Sequence, residues 1–338
     1  MRAPLHLVLS ISVVASIAPQ ARAQSVEEFY RGKTIDVTVP GSAGGDYDLR
    51  ARMVARHMGR HIPGKPAMVV RNMPGGIGIQ AGNHLANSAP KDGTVMTIVF
   101  QNMPVLQAIG QTGIQFDTRR FNWIGNTTDG PNVLNSWHTT GITKFEDVLT
   151  KELVVGASGT GSSAYTYPAA MNQLLGTKFK IVGGYPGGNE INLAMERGES
   201  MGRYNTWSAW KVTKPDWIAE RKIVMLVQSA LRKPKDLQDA PLLADLARSN
   251  DDRRIFELLA TAAELGRPLV ASPDIPADRL AALNAAYRAM LSDPEFVAEA
   301  AQLKIEIAPL VGAELQDLVA RALATPKPLT DRLKKLVE

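Results

Sequence analysis

The sequence predicts an α/β protein of two lobes, each a mainly parallel sheet flanked by helices, with a ligand cleft between them. Short apolar runs alternate with segments of helical period along most of the chain, the pattern of strands covered on both faces. The length exceeds that of one typical domain, which favours two lobes. One device also occurs twice, far apart in the chain: an apolar run, a Gly/Ser-rich loop, then a helical pattern.

The first copy is Ile35-Asp36-Val37-Thr38-Val39-Pro40, then Gly41-Ser42-Ala43-Gly44-Gly45-Asp46, then the periodic stretch from Tyr47. The second is Leu153-Val154-Val155-Gly156-Ala157, then Ser158-Gly159-Thr160-Gly161-Ser162-Ser163, then the stretch from Ala164. A strand that feeds a helix through such a loop leaves backbone N–H groups converging on one spot, which suits an anion. Two such spots predict two lobes gripping one acidic ligand.

The N-terminus reads as a secretory leader. Arg2 supplies the charge, Leu5 to Ile17 the apolar run, and Ala21-Arg22-Ala23 a small-x-small site, so cleavage is expected after Ala23. The run is too short to span a bilayer, which needs about 20 residues. The chain has no cysteine, which removes disulfides, thiolate chemistry and a lipid-bearing cysteine at the cleavage site. Cleavage would remove Arg2 and Arg22 and no acid, leaving 36 basic against 33 acidic side chains, too mild a balance to imply nucleic acid.

Along the mature chain, Leu49, Met53, Val54, His57 and Met58 recur at helical spacing up to Pro63-Gly64. Met68-Val69-Val70 reads as a strand, Pro74-Gly75-Gly76 opens a helix to about Ala86, and Thr94 to Phe100 is a buried strand after the turn signal Pro90-Lys91-Asp92-Gly93. Phe121 to Gly125 reads as the strand that leads into the second lobe. There, Phe145 to Thr150 is a short helix, Ala164 to Leu175 a longer one and Phe179 to Val182 a strand. A helix from Glu190 stops at Gly198, and Ile223 to Val227 is another strand. Leu269-Val270-Ala271 returns to the first lobe, followed by helices at Ala277 to Leu291, Pro294 to Leu303 and Gly312 to Ala324. The expected division is thus a leader at 1–23, a first lobe from 24–125 and 266–338, and a second from 126–265.

Several motifs suggest other chemistry and fail on inspection. Gly76-Ile77-Gly78-Ile79-Gln80-Ala81 fits a dinucleotide pattern but follows a proline turn and lacks the acid at the next strand end, so helix packing explains it. His57 and His61 are four apart, yet no interposed Glu or third ligand is evident, and exposed histidines near a helix C-terminus are expected instead of a metal site. Ser158 is not in a Gly-x-Ser-x-Gly elbow because residue 160 is Thr, and every His precedes it, so an α/β-hydrolase order is excluded. Asp46 sits where an N-cap belongs and Asp48 in the first turn, which gives both a supporting role. Trp207 is read equally as cleft or as lobe core.

Five motifs in register resemble the Bug/TctC family, the periplasmic substrate-binding proteins of tripartite tricarboxylate transporters. They are Val39 to Asp48, Val70-Arg71-Asn72-Met73-Pro74-Gly75-Gly76, Ala89 to Gly93, Ala157 to Ser163 and the Gly183 to Asn189 loop. The resemblance implies a type II-like two-lobed periplasmic binding protein whose ligand carboxylate is held at helix N-termini, largely by backbone groups. Carried over by position, Ser42, Ala43, Gly44 and Gly45 would form the first cradle, Gly78 and Ile79 would begin the neighbouring helix, and Gln101-Asn102 would occupy a strand-end loop. In the second lobe, Ser158, Thr160, Gly161, Ser162 and Ser163 match the Ser/Gly loop, and Tyr204-Asn205-Thr206 the last site loop.

Two departures bear on the ligand. Tyr165 stands where many members have His, and Asn205 where amino-acid-binding members place an Asp that meets an ammonium. A neutral amide cannot neutralise an amine. Tyr165, Tyr204 and Trp207 add aromatic surface, and Arg203 offers a bidentate carboxylate partner. The expected protein is therefore a non-enzymatic, monomeric periplasmic binding protein without cofactor, metal or nucleic acid. It would capture a small carboxylate, aromatic or dicarboxylate ones included, for the permease subunits of a tripartite tricarboxylate transporter. The alternatives are an exported serine-dependent hydrolase and a ligand-binding partner of a membrane sensor.

Overall fold

Ile35, Val37 and Val39 are fully buried along β1 (Thr34–Val39), as a strand covered on both faces requires. A computed structural model describes residues 24–128 and 130–337; the expected leader lies outside the described residues. Beside β1 lie β2 (Ala67–Asn72) and β3 (Val95–Ile98), both parallel to it. The chain passes through β4 (Asn122–Gly125) and crosses into a second sheet formed by β5 (Asn132–Trp137), β6 (Leu153–Gly156), β7 (Phe179–Val182), β8 (Gly202–Thr206) and β9 (Ile223–Ser229). It returns through β10 (Leu269–Ala271), which completes the first sheet in the order β2-β1-β3-β10-β4. The second sheet runs β7-β6-β8-β5-β9.

The α/β class and two-lobed architecture are as the sequence predicts, but the sheets are mixed rather than mainly parallel. In the first, β10 is antiparallel to both its neighbours, and in the second β5 is antiparallel to β8 and β9. The connectivity supplies the reason. β5 and β10 follow the two crossings, so each enters its sheet from the side of the other lobe instead of through a local βαβ unit.

Four helices position the cleft or the crossings: α1 (Asp46–Met58), α2 (Ser163–Leu175), α3 (Gly188–Glu196) and α4 (Asn250–Leu265). The stretch after Pro74 is more broken than its pattern suggests, with a 3-10 turn at Gly76–Gly78, a short helix at Ile79–Asn83 and a π turn at His84–Ser88. Phe145–Leu149 is a 3-10 helix. At the C-terminus, α5 (Pro294–Gln302) packs on α1, and a further helix, α6 (Lys327–Val337), was not anticipated. Leu329, Leu333 and Val337 of α6 join a core cluster with Tyr167, Leu174 and Leu258 that also reaches Met103 and Leu106. The apolar stripe of α6 is buried against α2 and α4.

The crossings are stapled to each other. Buried Asn126 donates to the carbonyls of Glu264 at 3.2 Å and Leu265 at 3.0 Å, and its Oδ1 accepts from Leu310 N at 2.7 Å. Gly266 has φ +59, and a Cβ there would lie 2.0 Å from the Thr128 carbonyl oxygen. Gly266→Ala is expected to cost at least about 3 kcal/mol, since it adds left-handed strain to a backbone clash. A thermal midpoint unchanged from wild type in a melting experiment would contradict this account of the crossing.

Candidate functional site

The ends of β1 and β6 and the loops beyond them meet in a cleft of about 480 Å³ between the sheets. The N-terminal turn of α1 enters from one side at Gly45, Asp46 and Tyr47, and that of α2 from the other at Ser162, Ser163 and Ala164. The first amides of each helix have no intrahelical acceptor, and the dipoles add a partial positive charge. The first turn of α3 contributes a third such end at Gly187, Gly188 and Asn189.

Two arginines line the same space. Arg267, 4% exposed, sits just after the return crossing. Its Nε donates to Asp46 Oδ2 at 2.5 Å, its Nη1 to Gln101 Oε1 at 3.0 Å and its Nη2 to Thr206 Oγ1. It therefore ties α1, the β3 end and β8 together, and its guanidinium lies 4.7 Å from the Tyr47 ring centroid. Asp46 also accepts from Arg50 Nε at 3.0 Å, so one carboxylate serves two buried cations. Burial pushes the Asp46 carboxyl up, but Arg267 and Arg50 outweigh it and hold the group below the usual range. Asp46 is the one acid among the described lining residues.

Arg203 differs from Arg267. It lies half-buried on β8, its Nη1 donating to Gly188 O at 3.0 Å and Asn192 Oδ1 at 2.6 Å, with its guanidinium 5.4 Å from the Trp210 ring centroid. No carboxylate forms an ion pair with it among the described residues, and its buried Nε has no acceptor. Burial depresses its basicity to about 10. The apolar part of the wall comes from Ile77, Phe100, Tyr185 and Ile191, with Phe100 set edge-on to Tyr47 at 4.8 Å between centroids. The site can thus hold an acceptor-rich, negatively charged head against an apolar surface.

No protein-family model matches the chain, and no curated protein matches it significantly. Solved structures do match. The periplasmic binding protein BugD superposes with a TM-score of 0.71 at 18% identity, over 91% of this chain and 99% of that one. MatC from Rhodopseudomonas palustris, solved with bound malate, gives 0.68 at 19% identity over 91% and 99%. A second R. palustris protein, solved with adipate, gives 0.69 at 18% identity over 90% and 98%. The chain has the periplasmic binding protein fold.

Within this binding-protein fold, Ser42, Gly45, Gly78, Gln101, Asn102, Ser158, Ser162, Ser163, Tyr204, Asn205 and Thr206 line the cleft. Six other sequence candidates do not. The Gly44 amide donates to Asp48 Oδ2 at 2.8 Å, so Asp48 rather than Asp46 caps the helix entry, and Gly45 occupies the N-cap. The carbonyls of Ala43 and Gly161 accept from Asn189 and Asn102 across the lobes at 3.4 and 2.8 Å. Ile79 is buried core, Tyr165 packs on the second-lobe core and Thr160 is exposed. Trp207 belongs to a core with Trp210 and Trp217, and its Nε1 donates to Asp236 at 2.6 Å.

Arg267 and Asn132 also line the cleft and were not singled out. Nothing local marks an arginine between Gly266 and Pro268 as interior, since its partners lie far away in sequence. The two histidines are not exposed as expected: His57 is buried against Glu299 at 2.5 Å, and His61 bonds Asp293 at 2.8 Å. His57, Asp293 and Glu295 could in principle share a metal, but Arg60 bonds all three and already places a cation among them.

Proposed function

We propose that the protein is an extracytoplasmic solute-binding protein, exported to the periplasm, that captures a small carboxylate by lobe closure and delivers it to a tripartite tricarboxylate-type transporter. The observation that carries this reading is the net positive cleft. Three helix N-termini and two arginines face a space whose one acid among the described lining residues is already shared between cations. Charge-assisted hydrogen bonds contribute about 1.5–3 kcal/mol each, so a few suffice for the roughly −8 kcal/mol of micromolar binding. The fold neighbours solved with malate and adipate support the class of ligand.

Closure moves the first lobe against residues 126–265, and only a ligand that touches both can favour the closed state. The proposed contacts are the lining serines 42, 158, 162 and 163, the α1 and α2 amides, Gln101-Asn102 and Asn205-Thr206. With no free acid among the described lining residues to meet an ammonium, amino acids are disfavoured, and the wall of Phe100, Ile77 and Tyr185 suits an apolar-bodied acid.

A thermal-shift screen over mono-, di- and tricarboxylates, aliphatic and aromatic, with amines and sugars beside them, tests the reading. At a hundred times its dissociation constant a ligand adds about 2.7 kcal/mol. Carboxylates should raise the midpoint; a rise with amines or sugars alone would overturn the assignment. Uptake of that carboxylate should then fall when the partner permease genes are deleted. Unchanged uptake would point instead to a sensor partner.

A further inference from the structure

We infer that Arg203, with Asn205 beside it, is the residue that reads the cargo's oxyanion, whereas Arg267 is a structural tie that does not bind cargo. The inference rests on the carboxylate reading above and assigns its charge recognition to one side chain.

Both arginines line the cleft, but they are not equivalent. Every nitrogen of Arg267 is engaged, by Asp46, Gln101 and Thr206, and its charge is compensated. Arg203 has a neutral carbonyl and an amide oxygen as its acceptors, and its Nε lacks one. Residues two apart on a strand share a face, and Asn205 also has a buried Nδ2 without an acceptor. The contacts of Arg203 with Asn192 and Trp210 show that this face is turned towards α3 and Trp210. Two covered, unpaired donors therefore sit on one face of β8 beside the cleft, with no acid among the described lining residues to accept from either.

The placement would be costly in a protein whose cleft stayed empty. Arg203 is bonded to Gly188 at the first turn of α3, where the helix dipole already presents positive charge and repels a cation. Glu190, the acid in that turn, instead lies within 3.5 Å of Ser42 Oγ across the lobes. Burial lowers the basicity of Arg203 and outweighs the more distant carboxylates of Asp46 and Glu190, neither of which forms an ion pair with it. The seat is nonetheless built for it. A Cβ on Gly188 would lie 2.3 Å from Arg203 Nη2, so a larger residue there would displace the guanidinium from this position. An incoming planar oxyanion, a carboxylate above all, would accept from Arg203 Nε and Asn205 Nδ2, both covered in this structure, once the two side chains turn into the cleft, and would neutralise the site.

The test compares wild type, Arg203→Met and Arg203→Lys, with chloride as reference and acetate, succinate, adipate and benzoate as probes at matched ionic strength. The carboxylates that stabilise wild type should bind Arg203→Met about 10- to 100-fold more weakly, and Arg203→Lys in between. Without ligand, Arg203→Met should melt at or above the wild-type midpoint, because an uncompensated buried cation has been removed. Equal carboxylate affinity in wild type and Arg203→Met overturns this inference and leaves the function standing. A ligand-free Arg203→Met that melts well below wild type likewise overturns it, as that marks a structural arginine. Wild type unmoved by every carboxylate sinks the functional reading itself.

Discussion

Asp46→Asn should lower stability by roughly 3–5 kcal/mol, the usual cost of leaving buried cations without their partner. In a melting experiment this corresponds to a fall on the order of 10 °C. The variant keeps the shape of the side chain but leaves Arg50 and Arg267 facing each other, both almost wholly buried, with the charge between them gone. A loss below about 1 kcal/mol, the range of exposed ion pairs, would show that the triad is solvated and would remove its role as a tie between α1, β3 and β8. The pH dependence follows with a definite sign. The Asp46 carboxyl is held below its ordinary value by Arg267 and Arg50 against its burial. Its contribution is therefore present above the ordinary carboxylate range and is lost as pH falls below it. Wild type should lose stability on acidification more steeply than Asp46→Asn, and parallel acid-titration curves would contradict the assignment.

Gly187→Val should abolish high-affinity capture while leaving the ligand-free fold nearly as stable as wild type. Gly187 has φ −169, an extended backbone that any residue adopts, so the substitution strains nothing locally. Its place between the lobes is another matter. A Cβ there would lie 2.3 Å from Ser42 Oγ, 3.2 Å from Ser42 Cβ and 3.1 Å from Glu190 Oε2. Ser42 belongs to the opposite lobe, and a branched side chain must hold the lobes apart. Because affinity is reduced by the fraction of molecules able to close, a cost of about 1.4 kcal/mol or more on closure weakens binding at least 10-fold. Calorimetric titration of the carboxylate found in the thermal screen is the measurement, and a dissociation constant unchanged from wild type would show that the lobes need not meet here.

Much of the fold was legible because its signals are local. The runs at 35–39, 153–156 and 179–182 read as strands, since apolar stretches bounded by Gly and Pro leave few alternatives. The paired Gly/Ser loops announced two helix N-termini, which do face one cleft. The misses were non-local. The antiparallel setting of β5 and β10 depends on which way the crossings enter a sheet, and α6 depends on partners far away in sequence. Gly44 looked free in sequence, but Asp48 takes its amide.

From the chain alone came the repeated strand-loop-helix device, the absence of cysteine chemistry and the expectation of an anion held between two lobes, because backbone geometry and composition act over a few residues. Tertiary structure decided how the charge is arranged. Arg267 reaches Asp46 from 221 positions away, while Arg203 forms no ion pair with any acid among the described residues and its Nε finds no acceptor. Coulomb interaction and burial depend on distance in space and not along the chain, so Arg203, legible as a carboxylate partner, and Arg267, unmarked in sequence, become an unsatisfied donor and a tie only after folding.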